Sequence, residues 1–165
     1  MAGNNRTAQG RAERRLLAAL MGLWAIYQTI AGLYFIFVRP SHLPEDLRAA
    51  ATSLRAINAA APHIETWLNW VFDVLGGQMA ALGVLVLGAA VSVLRGHRPG
   101  TVEMVTFVTA GLLSVTLMSG VNFALGSDFR WFLVAPVIVW LAAMILLGRR
   151  VWAAQRHGEG ESGGN

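Results

Sequence analysis

Four long apolar stretches divide this chain, running roughly from Leu16 to Val38, Trp67 to Leu94, Met104 to Leu125 and Trp131 to Leu147. A helix rises about 1.5 Å per residue, so about 20 apolar residues cross a hydrocarbon layer of about 30 Å, and each stretch can span a bilayer. The fold class that follows is all-α and integral to a membrane, a bundle of four transmembrane helices. Asp73 is the single acid inside any of the stretches. With 55% hydrophobic and 13% charged residues in 165, the chain cannot enclose its apolar side chains in one water-soluble core. The lipid bilayer is therefore its first expected partner.

The charges set an orientation. Arg6, Arg11, Arg14 and Arg15 precede the first span, Arg95 and Arg98 lie between the second and third, and Arg149, Arg150 and Arg156 follow the fourth. Arg39, Arg48, Arg55 and Arg130 fall on the other side, among Glu45, Asp46, Glu65 and Asp128. The positive-inside rule then puts both termini in the cytoplasm. The net charge of +4 reads as this topology signal and not as a nucleic-acid surface, so no nucleic-acid partner is expected. The basic, then apolar, start resembles a signal peptide, but its length and the absence of a small-residue cleavage site at Val38-Arg39-Pro40 favour an uncleaved anchor. Lys is absent while Arg, Ala and Gly are frequent, a bias that suggests a high-GC bacterial genome and hence a bacterial inner membrane. With no Cys, disulfides, thiolate metal sites and cysteine nucleophiles are excluded.

Outside the spans there is little room for a second domain. Residues 1–14 and 155–165 are polar and read as disordered cytoplasmic tails flanking a single membrane domain at 15–154. Only the external segment from Arg39 to His63 is long enough to carry structure. Pro44, Glu45 and Asp46 suit a first helical turn, and Leu47, Ala50, Leu54, Ile57 and Ala61 recur at helical spacing, which predicts one amphipathic helix between spans one and two. It would lie on the outer membrane face or cap the bundle mouth. Tyr34, Trp67, Trp70 and Trp131 fall near the outer boundary and Trp152 near the inner one, as interfacial aromatic belts require, whereas Trp24 and Trp140 lie deeper and read as packing residues.

The second span carries the most informative polar pattern. Glu65, Asn69 and Asp73 are four residues apart, so they drift along one helix face. A carboxylate at a helix centre costs about 2.5–3.5 kcal/mol on insertion scales, and Asp73 is therefore expected to face the bundle interior. Gly76 and Gly77 follow, then Ala80 and Gly83, where another backbone can approach closely or the helix can bend to leave a cavity. Tyr34 and Asn122 fall in the same layer as Asp73, with Gln28 and Gln78 near the midplane. Pro136 would kink or open the outer half of the fourth span. Two readings stay open for Gln28, Gln78, Asn122 and Asp73: interhelical hydrogen-bond glue, or the lining of a cavity.

No histidine metal site is expected, because His42, His63, His97 and His157 lie in separate segments. No phosphate-binding glycine loop or nucleophile elbow is present, and no cofactor can be named. The segment from Glu65 to Gly83, with an acid toward its outer end, the paired Gly76-Gly77 and the later Gly83, resembles the second span of the DoxX-like small four-helix membrane proteins. That resemblance implies a bacterial inner-membrane bundle, in some members an accessory subunit of quinone-linked oxidation, although the long external segment departs from the shortest members.

Two function classes follow, with a third behind them. The first is a non-catalytic protein, either an accessory subunit of a larger membrane complex or homo-oligomer, or a binder of an apolar lipid-like or quinone-like ligand. Asn69, Asp73, Gly76, Gly77, Asn122, Tyr34, Gln28 and Gln78 would line its outer-half cavity. The second is an intramembrane isomerase or cyclase with Asp73 as general acid or base and Glu65 as second carboxylate. Small-molecule transport is the third, since the first span lacks the embedded acid of small multidrug transporters.

Overall fold

The structure is a computed structural model and describes residues 2–162. Its regular elements, among the described residues, are all helical: α1 (Ala2–Phe37), α2 (Pro44–Ala49), α3 (Leu54–Ala60), α4 (Ile64–Leu94), α5 (Thr101–Gly111), a π-helical turn at Leu112–Thr116, α6 (Leu117–Ala124) and α7 (Val134–Ser162). Four helical stretches are long and apolar enough to cross a membrane, Ala8–Phe37, Ile64–Leu94, Thr101–Ala124 and Val134–Arg156. The third runs through α5, the π turn and α6 without interruption.

Each boundary has a local cause. Pro40 disfavours helix at the residue before it, and α1 closes with the amides of Val38 and Arg39 both donating to Tyr34 O, at 2.9 and 2.8 Å. Gly96, at φ 110°, and Gly126, at φ 64°, turn the chain after α4 and α6 in a conformation that glycine adopts without a Cβ clash. The Gly100 amide is accepted by the Glu103 carboxylate at the start of α5. α1 and α7 continue beyond their apolar stretches to Ala2 and Ser162, through segments read from sequence as unstructured tails. Residues 8–15, Ala-Gln-Gly-Arg-Ala-Glu-Arg-Arg, are mostly good helix formers, which hydropathy does not register. Met1 and residues 163–165 of those tails lie outside the described residues.

Two expectations are corrected. The single amphipathic helix between spans one and two is two short helices, because Ala51 turns to φ 49° and the Ser53 hydroxyl accepts the Ala56 amide, starting α3 afresh. The apolar positions that would have formed one stripe are thereby split. Pro136 neither kinks nor opens the fourth long helix, since α7 begins at Val134 and its first turn has no use for the missing N–H.

α1 is the common partner. α4 lies along it, α7 packs on another side of it, and α5 packs on α7. The α1–α4 seam is made of small residues facing backbone. A Cβ on Gly32 would stand 2.5 Å from both Ala80 N and Gly76 O, and one on Gly76 would stand 2.5 Å from Gly32 O. Gly83 sits as tightly against Ala25 and Thr29. Close backbone approach through small residues is how helices associate where the surroundings are as apolar as their own side chains.

The larger buried side chains gather in the Arg-rich half: Leu17, Met21 and Trp24 of α1, Val86 and Val93 of α4, Trp140 and Leu147 of α7. Trp140 lies on Gly111, which leaves no room for a Cβ, and its indole N–H donates to Phe107 O at 3.2 Å. Trp24 meets Phe107 edge-on, with ring centroids 6.5 Å apart. Both deep tryptophans therefore pack between helices. Large apolar side chains such as Leu23, Ile30, Val74, Leu85, Leu113, Ile138 and Ile145 stay exposed on all four long helices.

Candidate functional site

Away from the Arg-rich end, α2 and α3 lie across the helix ends, and this capped end has its own polar framework. Asp46 is its hub. One carboxylate oxygen accepts the Leu43 amide at 2.9 Å and the Arg39 guanidinium at 3.1 Å, tying the end of α1 to the start of α2. Glu45, the next residue back, is buried and accepts the buried Ser127 hydroxyl at 3.1 Å, which joins α2 to the turn after α6. Arg48 adds an exposed fork to Asp128, both distances being 3.2 Å.

The ion pair holds Arg39 over an aromatic surface. Its guanidinium carbon lies 3.7 Å from the Phe72 ring centroid and 5.3 Å from that of Phe35, and the two rings meet edge to face at 5.9 Å. A cation over the negative face of a ring is attracted by its quadrupole, the more so when half desolvated, and the Arg39 side chain is only 10% exposed. Beside this stack opens a groove of about 440 Å³, lined by Phe35 to Ser41 from α1 and its exit, and by Asn69, Phe72 and Asp73 of α4. The side chains of Asn69 and Asp73 make no hydrogen bond among the described residues.

Of the residues singled out in the sequence, the structure thus brings Asn69 and Asp73 together and disperses the rest. Asp73 does not face the bundle interior as expected. It shares the side of α4 that carries the glycine seam but is exposed along the groove, because α1 ends at Phe37 and no longer covers it. Gly76 is consumed by the contact with Gly32, while Gly77 faces open space. Glu65 accepts Asn58 Nδ2 from α3 at 2.7 Å, and Asn122 donates to Met118 O one turn back in its own helix at 2.9 Å. Tyr34 is exposed beside Phe35, with centroids 6.0 Å apart, and Gln78 is exposed farther along α4. Gln28 is 1% exposed, and neither its amide oxygen nor its nitrogen has a partner among the described residues.

Sequence reasoning missed Arg39, Phe35 and Phe72 as lining residues. The available signal was a cation at a span end, flanked by Pro40 and followed at seven residues by Asp46. Chemically the groove offers an acceptor carboxylate, an amide that both donates and accepts, and an apolar wall from Phe35 to Val38. That combination suits an amphipath whose head carries hydroxyl or carbonyl groups. Among the described residues, no three His, Asp or Glu side chains converge as a metal-binding group. In comparisons with known proteins, no family model, no curated protein and no solved structure matches this chain.

Proposed function

We propose that this chain is a small multi-pass membrane protein that binds an apolar, lipid-like or quinone-like ligand in the groove at the capped end. The observation that carries the reading is the placement of Asn69 and Asp73, both without hydrogen-bond partners among the described residues, beside the Arg39–Phe72–Phe35 stack within an otherwise apolar span. Polar groups inside a membrane segment are costly unless something satisfies them, and a ligand head would do so here. Asp73 would accept from a hydroxyl and Asn69 would donate to a carbonyl, with the apolar body along Phe35 to Val38. A proton-transfer enzyme would ask for a second carboxylate on the same space. Glu65 is held instead by Asn58 and does not line the groove, so the binder is preferred.

The Arg distribution supports an orientation with the capped end outside and both termini in the cytoplasm, in a bacterial inner membrane. The DoxX-like character of the second span is in keeping with an accessory role in a larger complex or a homo-oligomer. Purification in mild, lipid-preserving detergent followed by mass spectrometry of bound small molecules tests the site. Asn69→Leu and Asp73→Asn should each lower the amount of a co-purifying amphipath, whereas Glu65→Gln should leave it unchanged. An identical small-molecule complement in all four proteins, wild type included, removes the groove as a binding site.

A further inference from the structure

A second groove lies at the opposite end of the molecule. α4 leans on α1 and α5 leans on α7, so the two helices joined by the short turn around Gly96 make no extended contact with each other. The gap between them opens at the Arg-rich end with a volume of about 370 Å³. Ala89 and Val93 of α4 and Phe107 of α5 form its apolar walls, and Arg95, His97 and Glu103 form its mouth. From Ala89 to Arg95 the wall extends about 9 Å along the helix axis, at about 1.5 Å per residue. An apolar wall under a polar rim suits one end of an amphipath, and the gap lies between two helices that are each apolar enough to face lipid.

The mouth selects a sign of charge. Glu103, its one acid, is engaged on both oxygens, by the His97 ring and by the Gly100 amide. Arg95 has no carboxylate within ion-pair distance among the described residues. Arg14 of α1 stands beside the mouth, at the Gly96 turn, its Nη1 3.5 Å from where a Cβ would be at Gly96. A phosphodiester, with several acceptor oxygens and a negative charge, would serve Arg95 and the outer face of Arg14 together.

We propose that this groove binds one anionic phospholipid, its phosphodiester at Arg95 and Arg14 and an acyl chain against Ala89, Val93 and Phe107. The site lies at the other end of the molecule from the groove of the proposed function and does not depend on what that one binds. The test uses the full chain, purified in mild detergent and mixed with phosphatidylglycerol and phosphatidylcholine of equal chain length, with bound lipids counted by native mass spectrometry. Phosphatidylglycerol should be retained over phosphatidylcholine by about five-fold or more, since a basic residue near an anionic headgroup contributes about 1 kcal/mol. Arg95→Gln should reduce that preference by about five-fold on the same ground. Ala89→Phe, which fills the wall, should lower retention of both lipids. Equal retention of the two lipids by the wild type overturns the proposal, as does a preference that Arg95→Gln leaves undiminished. Displacement of phosphatidylglycerol by millimolar inorganic phosphate would mark a free-anion site and overturn it too. Should Ala89→Phe fail to fold, the exposed Arg95→Gln substitution still decides.

Discussion

Gly76 and Gly77 are neighbours in one helix, at nearly one depth, and have opposite surroundings. A methyl group on Gly76 would run into Gly32 O, Ile36 Cγ1 and Phe35 Cβ at 2.5, 2.8 and 2.9 Å, whereas on Gly77 it would meet nothing within 4 Å. Gly76→Ala should therefore destabilise the fold by about 1–3 kcal/mol, the usual range for forcing extra volume into a filled contact. Gly77→Ala should be neutral or stabilise by up to about 1 kcal/mol, because alanine is the better helix former. Reversible unfolding in mixed micelles, with denaturing detergent as the variable, compares the two, and equal stabilities would refute the seam. The sequence made both glycines candidates for close packing or for a cavity and could not separate them. One step along a helix turns a residue by about 100°, and which side meets α1 is decided by the other helix. Asp73 lies on the seam's side of α4, about 60° from Gly76, and opens to the groove because α1 ends there, against the expectation that a membrane carboxylate faces inward. Gln28 was legible only as a polar residue at mid-span. Its burial follows from its place on the face of α1 that carries Leu17, Met21 and Trp24, at helical spacing.

Among the elements, α2 shows how a six-residue helix is held by things other than its own propensity, since isolated helices of that length are unstable in water. Its anchors differ in worth. The Ser127–Glu45 hydrogen bond is buried at both ends, so Ser127→Ala leaves a buried carboxylate short of a donor and should cost about 1–3 kcal/mol. The Arg48–Asp128 pair is 56% and 69% exposed at its two side chains, and Arg48→Ala should cost less than about 1 kcal/mol. Hydrogen exchange in α2 is the measurement: faster exchange in Ser127→Ala than in Arg48→Ala is expected, and the reverse order would contradict the ranking. The first turn of α2 was readable from Pro44, Glu45 and Asp46, and so were the four long helices, because both signals are local. The break at Ala51 was less so. Periodicity favoured continuation through Leu54 and Ile57, and the competing signal, Ser53 as a cap for α3, carries no hydropathic mark. Pro136 was misjudged by three residues of helix start, which separates a kinked helix from a compatible first turn.

For the whole molecule, the orientation rests on charge alone, and the absence of cysteine makes it directly testable. Thr52→Cys, between α2 and α3, should react with an impermeant thiol reagent on intact cells, and Glu161→Cys, near the end of α7, should react only after lysis. The opposite pattern would reverse the orientation and with it the side from which each groove is reached. The span count was readable because apolar length is a property of each segment by itself. The order of neighbours was not, because it depends on which small-residue faces meet. α1 as shared partner also bears on how the chain is made. α1 and α4 leave the ribosome before α5 and α7, and their glycine seam needs nothing from the later half. The first two long helices can therefore close on each other while the rest is still being translated, and α7, arriving last, completes the assembly against a surface already in place.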